Sequence, residues 1–398
     1  MTTETFQLDT TRVAGGPDYL AGIRRARQAG KKMMPMLWEM AKLRLGPGKL
    51  SPEEYFLYEL YDDNRYSAEV KRTFVTEDGL AQAGAWADIA ADKPTLTTLL
   101  KGMGLPIPET QAILHPYRTF PGAESLRNER DLVDFLRGAA RYPIFAKPFD
   151  GACSLGAVAI MGHDSETDFL SVAGEQSVRV DRLVSQIVAL ERPYLLQTLL
   201  LPHPKITAII GPHVSSVRMF VMADGDDVNL WRAAWKIPAP DSRADNFWRS
   251  GNMLAGIDCE SGQIGKVIQR TDSGTEAIQR HPVTDAEFAQ MKFPQWDAMR
   301  DTVMAAAINL PGCPFQGWDV ALTDRGPVLV ELEGDGGNPV MEQMCFESGL
   351  LQGRYLELID KQRQQIRQRA RSTKRHQRRG LRQGIDTLGQ MGSMRTPK

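Results

Sequence analysis

Three carboxylates near the C-terminal third of the chain, Asp319, Glu331 and Glu333, are the strongest chemical signal in the sequence. WDVALT and GPVLVELE, split by a DRG turn, read as an antiparallel hairpin over 318–333. Side chains alternate along a strand, so Glu331 and Glu333 share a face. Their neighbours Leu329, Val330 and Leu332 are apolar, so that face is not expected to be open solvent. Carboxylates gathered beside a core are costly unless a cation neutralises them. Oxygen donors of this kind suit Mg²⁺ bridging to phosphates, and the three are expected to be its ligands. The alternative is a charged sheet edge facing water.

A second signal is Asp150-Gly151-Ala152-Cys153-Ser154-Leu155-Gly156, a glycine-bearing turn after a run ending in Lys147-Pro148. Glycine lets backbone N–H groups approach phosphate oxygens that a side chain would block. A lysine beside such a loop neutralises phosphate charge. Taken alone the turn is ordinary hairpin chemistry, since neither GxxxxGK[ST] nor a dinucleotide fingerprint occurs. No GxSxG elbow, HExxH pair or plausible Cys–His couple is present.

The elements that must position these residues follow from periodicity. Residues 17–45 read as helical with a break at Pro35. Ser51 caps SPEEYFLYELY, and 93–103 form a helix stopped by Gly104. LPIPET is an extended connector, and 129–140 a short amphipathic helix. Strands are expected at 142–149, 157–161, 194–200, 216–223 and 229–237, and helices at 178–190, 284–308 and 340–366. Helices followed by mixed strands and helices favour an α+β fold with antiparallel sheet. Arg232 and Lys236 alternate with Trp231 and Trp235 on one strand, either facing reactants or lying on a solvated face. Asp245, Asn246 and Arg249 lie in a polar loop. His203 and His213, beside Pro and Gly, have no metal spacing. Met33, Met34, Met36 and Met40 read as helix packing.

Bulk properties fit a globular protein of more than one unit, with 398 residues, 42 % apolar and 24 % charged. No apolar run reaches the ~18 residues of a membrane span. No secretory leader is expected from the N-terminus, and four scattered cysteines form no disulfide framework, so a cytoplasmic location is expected. The net charge of −1 conceals a division. Residues 361–398 hold twelve Lys/Arg and one acid, and the rest of the chain is acidic. Such a tail reads as an arm for an acidic partner or a membrane surface, or as a frayed helix.

Between Asp92 and Gln343 these pieces, in this order, resemble the ATP-grasp superfamily. The carriers are Asp92-Lys93 with LPIPET, FAKPFDGACSLGAVAI, YLLQTLLLP, VSSVRMFV and WDVALTDRGPVLVELEGD. Asp245-Asn246 with Ser250-Gly251-Asn252 brings the chain closest to the sugar-transfer-associated branch. The resemblance implies an ATP-grasp fold, two α+β subdomains gripping ATP, with a helical N-terminal region and a basic C-terminal tail. Its boundaries would be 1–90, 91–193, 194–360 and 361–398. It implies that Lys93 and Lys147 hold the ATP phosphates, with Gly151, Ser154 and Gly156 covering them. Gln197, Thr198 and Leu200 would line the adenine pocket, and Arg218 would stabilise the transferred phosphoryl. Lys236 would face the reacting groups, and Asp319 and Glu331 would bind Mg²⁺. Glu333 departs from the family's usual Asn, which makes Asn338 the candidate for the missing amide. The implied activity is a ligase that uses ATP and Mg²⁺ to join a carboxylate to an amine through an acyl-phosphate. A kinase on the same scaffold and a non-catalytic nucleotide- or polyanion-binding protein are the alternatives.

Overall fold

A computed structural model describes residues 5–9, 19–76, 85–149, 155–239, 247–272, 274–333, 339–364, 367–368 and 371. The helical N-terminal region contains α1 (Tyr19–Gln28), α2 (Met33–Leu45), α3 (Pro52–Leu57), α4 (Ala68–Lys71) and α5 (Ala85–Ala91). The break between the first two falls at 29–32, where Gly30 takes a φ of 85°, and not at Pro35. Pro35 sits in the first turn of α2, where a missing N–H breaks no intrahelical bond. Ser51 caps α3 as expected, in a reciprocal capping box with Glu54.

Lys93 opens α6 (Lys93–Gly102), whose N-terminus is capped by the Asp92 side chain accepting from the Thr95 N–H. A seven-stranded sheet follows. It contains β1 (Thr110–Leu114), β2 (Glu124–Leu126), β3 (Ile144–Pro148), β4 (Val158–Asp164), β5 (Phe169–Val172), β6 (Gln176–Arg179) and β7 (Tyr194–Thr198). The order is β2-β1-β7-β3-β4-β5-β6, antiparallel except between β1 and β2. Thus β7 lies between β1 and β3. One face of this sheet, with Ile144, Ala146, Val158, Tyr194 and Leu196, packs on α7 (Glu129–Asp134) and α8 (Val180–Val188). Phe6 and Leu8 join that core, and the Asp9 carbonyl accepts the Gly156 N–H.

The chain then crosses through 199–203 and α9 (Pro204–Ile210) to a second sheet. The crossing segment is tied to the second sheet, since the His203 N–H donates to the Leu322 carbonyl and the Asp324 N–H to that of Leu201. The strands here are β8 (Ser216–Asp224), β9 (Asp227–Ile237), β10 (Met253–Ile257), β11 (Ile264–Thr271), β12 (Gly274–Ile278), β13 (Phe315–Thr323) and β14 (Gly326–Glu333). Their order is β12-β11-β10-β9-β8-β13-β14, fully antiparallel. Both faces are covered. Trp235, Met253 and Trp318 pack against α6 and α10 (Trp296–Ala307), while Ala234, Leu254 and Ile268 meet α2, α3 and α11 (Val340–Phe346).

Two helical expectations are shortened. Residues 284–295 are irregular, with turns and isolated bridges at Glu287 and Lys292, before α10, and α11 stops at Glu347, whose φ of 51° ends the helix. Met1–Gly349 form one unit and Leu350–Lys398 another, in which 353–364 are helical. The methionine expectation holds in part. Met36 is buried and Met40 packs beside it, but Met33 and Met34 point outward.

Candidate functional site

The site grows out of register. Arg218 on β8 stands directly opposite Asp319 on β13, and Asp319 opposite Glu331 on β14. A bulge after Asp319 sets Val330 out of the ladder, and beyond it regular alternation puts Glu331 and Glu333 on the same side. The side chain of Arg218 is 4 % exposed and fastens two strands. Its Nε donates to Asp319 Oδ1 at 2.6 Å and its Nη2 to Oδ2 at 3.2 Å. Its other edge grips Glu333, Nη1 to Oε2 at 2.7 Å and Nη2 to Oε1 at 2.9 Å. A planar guanidinium fork is the group that meets two carboxylates in this way. Lys236 on β9 completes the cluster, its Nζ 2.9 Å from Asp319 Oδ2. Burial opposes the charges of both Arg218 and Asp319. Asp319 and Glu333 nevertheless hold Arg218 protonated well above its usual range, and Arg218 with Lys236 holds the Asp319 carboxyl below its own.

The edge strand β14 brings in Lys93, whose Nζ lies 2.9 Å from Glu331 Oε1. Arg118 positions that lysine indirectly. It donates to both carboxylate oxygens of Asp92, the cap of α6, at 2.6 and 2.8 Å. The hydrogen bond from Arg118, more than burial, sets the Asp92 carboxyl below its usual range.

Glu342 on α11 is the residue that sequence reasoning missed. It is 1 % exposed, and among the described residues neither carboxylate oxygen has a hydrogen-bond partner. Burial pushes its carboxyl up to about 7; Arg218 pulls it down, while Glu333 and Asp319 push the same way as burial. Arg232 organises the same helix end. It donates to the carbonyls of Glu342, Ser348 and Gly349 and lies over the Phe346 ring. Neither Arg232 nor Lys236 lies on a solvated face. Nothing in VMEQMCF separates Glu342 from an ordinary helical glutamate, because its isolation arises from the elements folded around it.

A raised carboxyl lowers stability at high pH. Below about 4.5 both folded and unfolded states carry the Glu342 proton, and there is no penalty. Between there and about 7 the unfolded chain releases the proton first, so the native state loses ground, and the full loss is present above 7. Glu342→Gln should therefore raise stability by up to about 3 kcal/mol at pH 8 and leave it unchanged at pH 4. Thermal unfolding at the two pH values checks this, and a destabilised variant at pH 8 overturns it.

On the first sheet, Lys147 pairs with Leu195 and Phe145 with Gln197. These four face away from the α7–α8 core. Gln197 is buried and donates to Thr110 Oγ1 at 3.3 Å. Thr198 donates to Glu109 Oε2 at 3.1 Å and accepts from Gln111 at 3.0 Å, and Leu200 is half-buried in the crossing segment. Gly156 takes a φ of 74°, and a Cβ there would stand 2.8 Å from the Tyr194 hydroxyl, so no larger residue fits. Gly151, Ser154, Asn338, Asp245 and Asn246 lie outside the described residues.

As placed, no three His, Cys, Asp or Glu side chains are close enough to hold a metal among the described residues. The protein's own cations satisfy the three carboxylates singled out above. The donor chemistry still fits a hard cation. Asp319 and Glu331 are oxygen donors opposed across one strand pair, and Glu342 is a buried carboxylate whose oxygens bond to none of the described residues.

Two sheets, a lysine on each side of the crossing, and carboxylates on a closing hairpin define an ATP-grasp protein. Residues 81–361 match the sugar-transfer associated ATP-grasp family, and the chain belongs to it. Among solved structures it is similar to an L-amino acid ligase from Bacillus licheniformis, at 14 % identity over 64 % of this chain and 43 % of that one, with a TM-score of 0.34. D-alanyl-alanine synthetase A from Vibrio cholerae matches at 14 % identity over 70 % and 66 %, TM-score 0.40. The ATP-grasp ligase PsnB with a minimal precursor matches at 18 % over 77 % and 71 %, TM-score 0.37. The chain thus spans less than two thirds of the first two, and likeness at this level says nothing about substrate. No curated protein matches it. Among the described residues no helix is long and apolar enough to cross a membrane.

Proposed function

We propose that the chain is an Mg-ATP-dependent ligase that joins a carboxylate to an amine and releases ADP and phosphate. The observation that carries this reading is the gathering of Lys93, Arg218 and Lys236, each ion-paired, against Glu331, Asp319 and Glu333 of one hairpin. Three cations balance three carboxylates in this cluster. Bound ATP brings more negative charge, and Lys93 would then turn from Glu331 to phosphate oxygens while Arg218 stays locked to Asp319. Asp319 and Glu331, with Glu333, would hold Mg²⁺, which supplies charge neutralisation between adjacent phosphates.

In the reaction, a substrate carboxylate oxygen attacks the γ-phosphorus and the bond to ADP breaks. The amine then attacks the acyl carbon; the C–N bond forms and phosphate leaves. Such chemistry needs positioning and charge rather than a protein nucleophile. Lys93 and Lys147 neutralise phosphate oxygens. Arg218, locked by Asp319, presents its charge without conformational loss. Gln197, Thr198 and Leu200 line the edge where the base would lie. The substrates are small molecules.

Phosphorus NMR of the protein with Mg-ATP and pools of small carboxylates and amines tests the proposal. ADP and free phosphate that form only when both pools are present support it. A new phosphoester signal would make the chain a kinase and defeat the ligase reading.

A further inference from the structure

The helix α2 is apolar on two opposite sides. Met36 and Leu43 are buried against α3 and the second sheet. On the other side Met34, Trp38, Ala41 and Leu45 recur at spacings of three and four residues, with Leu37 beside them. These are exposed, Met34 by 74 %, Trp38 by 65 % and Leu45 by 88 %. A stripe of large apolar side chains on a well-formed helix is unusual in water and marks an interaction surface.

Charge selects the occupant. Between Tyr19 and Leu45 there are seven Lys/Arg and a single acid, Glu39. Glu39 is already engaged with Lys31, Lys71 and the Tyr55 hydroxyl on the inner side. Arg24, Arg27, Lys32, Lys42 and Arg44 are exposed. Lys42 and Arg44 flank the stripe, and the Lys42 ammonium lies 5.3 Å from the Trp38 ring centroid. Two copies meeting through this face would bring like charges together. An anionic surface that accepts apolar side chains would instead satisfy both features, and Trp with flanking basic residues is the pattern of a helix lying in a headgroup layer. The chain before the basic tail carries a net negative charge, from which this basic stretch stands apart.

We propose that the outer face of α2 docks onto a lipid bilayer with anionic headgroups, inserting Met34, Leu37, Trp38 and Leu45 below Lys42 and Arg44. This is surface attachment, and it is independent of the ligase reading.

The full chain is floated with vesicles of phosphatidylcholine containing phosphatidylglycerol, and with phosphatidylcholine alone. Binding is expected with the anionic vesicles, weakened by salt, and reduced about tenfold or more in Leu37→Glu/Trp38→Glu. Unchanged thermal unfolding of that variant shows that the fold is kept. A full-length variant with Lys374, Arg375, Arg378 and Arg379 replaced by Gln should still bind. The proposal is overturned if the wild-type chain does not float. It is equally overturned if the α2 variant floats normally while the tail variant does not, or if the chain is a dimer that Leu37→Glu/Trp38→Glu converts to monomer.

Discussion

Arg218→Met should lose about 3–5 kcal/mol of stability and about a thousandfold in ATP-dependent turnover. Both effects have one origin. Arg218 is buried and makes four hydrogen bonds, two to Asp319 and two to Glu333. Methionine fills much of its volume but leaves Glu333 without this partner and Asp319 with Lys236 as its remaining basic neighbour. A carboxylate left without its counterion in that setting must either keep its charge at a high desolvation cost or take up a proton. Arg218→Lys separates the two effects. It restores a charge but not the fork, so stability should recover in part while turnover stays at least about tenfold down. Urea unfolding and phosphate release measure the two quantities. An Arg218→Met chain that unfolds at the wild-type urea concentration would contradict the ion-pair argument, and one with wild-type turnover would contradict the catalytic role.

Glu331→Gln is expected to behave in the opposite manner, with large loss of activity and little loss of stability. The Glu331 side chain is 34 % exposed and its described ion pair is the one with Lys93. Pairs so open to solvent contribute roughly 1 kcal/mol or less. Glutamine keeps the shape and removes the charge. If Glu331 holds Mg²⁺, turnover at limiting Mg²⁺ should fall about a hundredfold or more, and excess Mg²⁺ should recover part of it. Turnover followed across a Mg²⁺ titration decides the matter; a variant with an unaltered Mg²⁺ dependence removes Glu331 from the metal site.

The sequence by itself determined those features whose causes lie within a few residues. The Ser51–Glu54 capping box, the Asp92 cap that places Lys93 at the head of α6, and the β13–β14 hairpin all follow from short-range rules. The carboxylate pair on β14 follows from alternation alone. The order of such local pieces also sufficed for the family.

Tertiary structure decided the rest. The strands β10, β11 and β12, like β1, β2, β5 and β6, are not among those expected from the sequence. Met253–Ile257 is buried throughout because both faces of the sheet are covered, which erases the alternation that marks a half-buried strand. The carboxylates were expected to call for a metal, yet Arg218, Lys236 and Lys93 come from a strand, a neighbouring strand and a distant helix to meet them. Glu342 and Trp38 look unexceptional in sequence. One is enclosed and the other exposed by how elements far apart in the chain pack together, and no window of neighbouring residues carries that information.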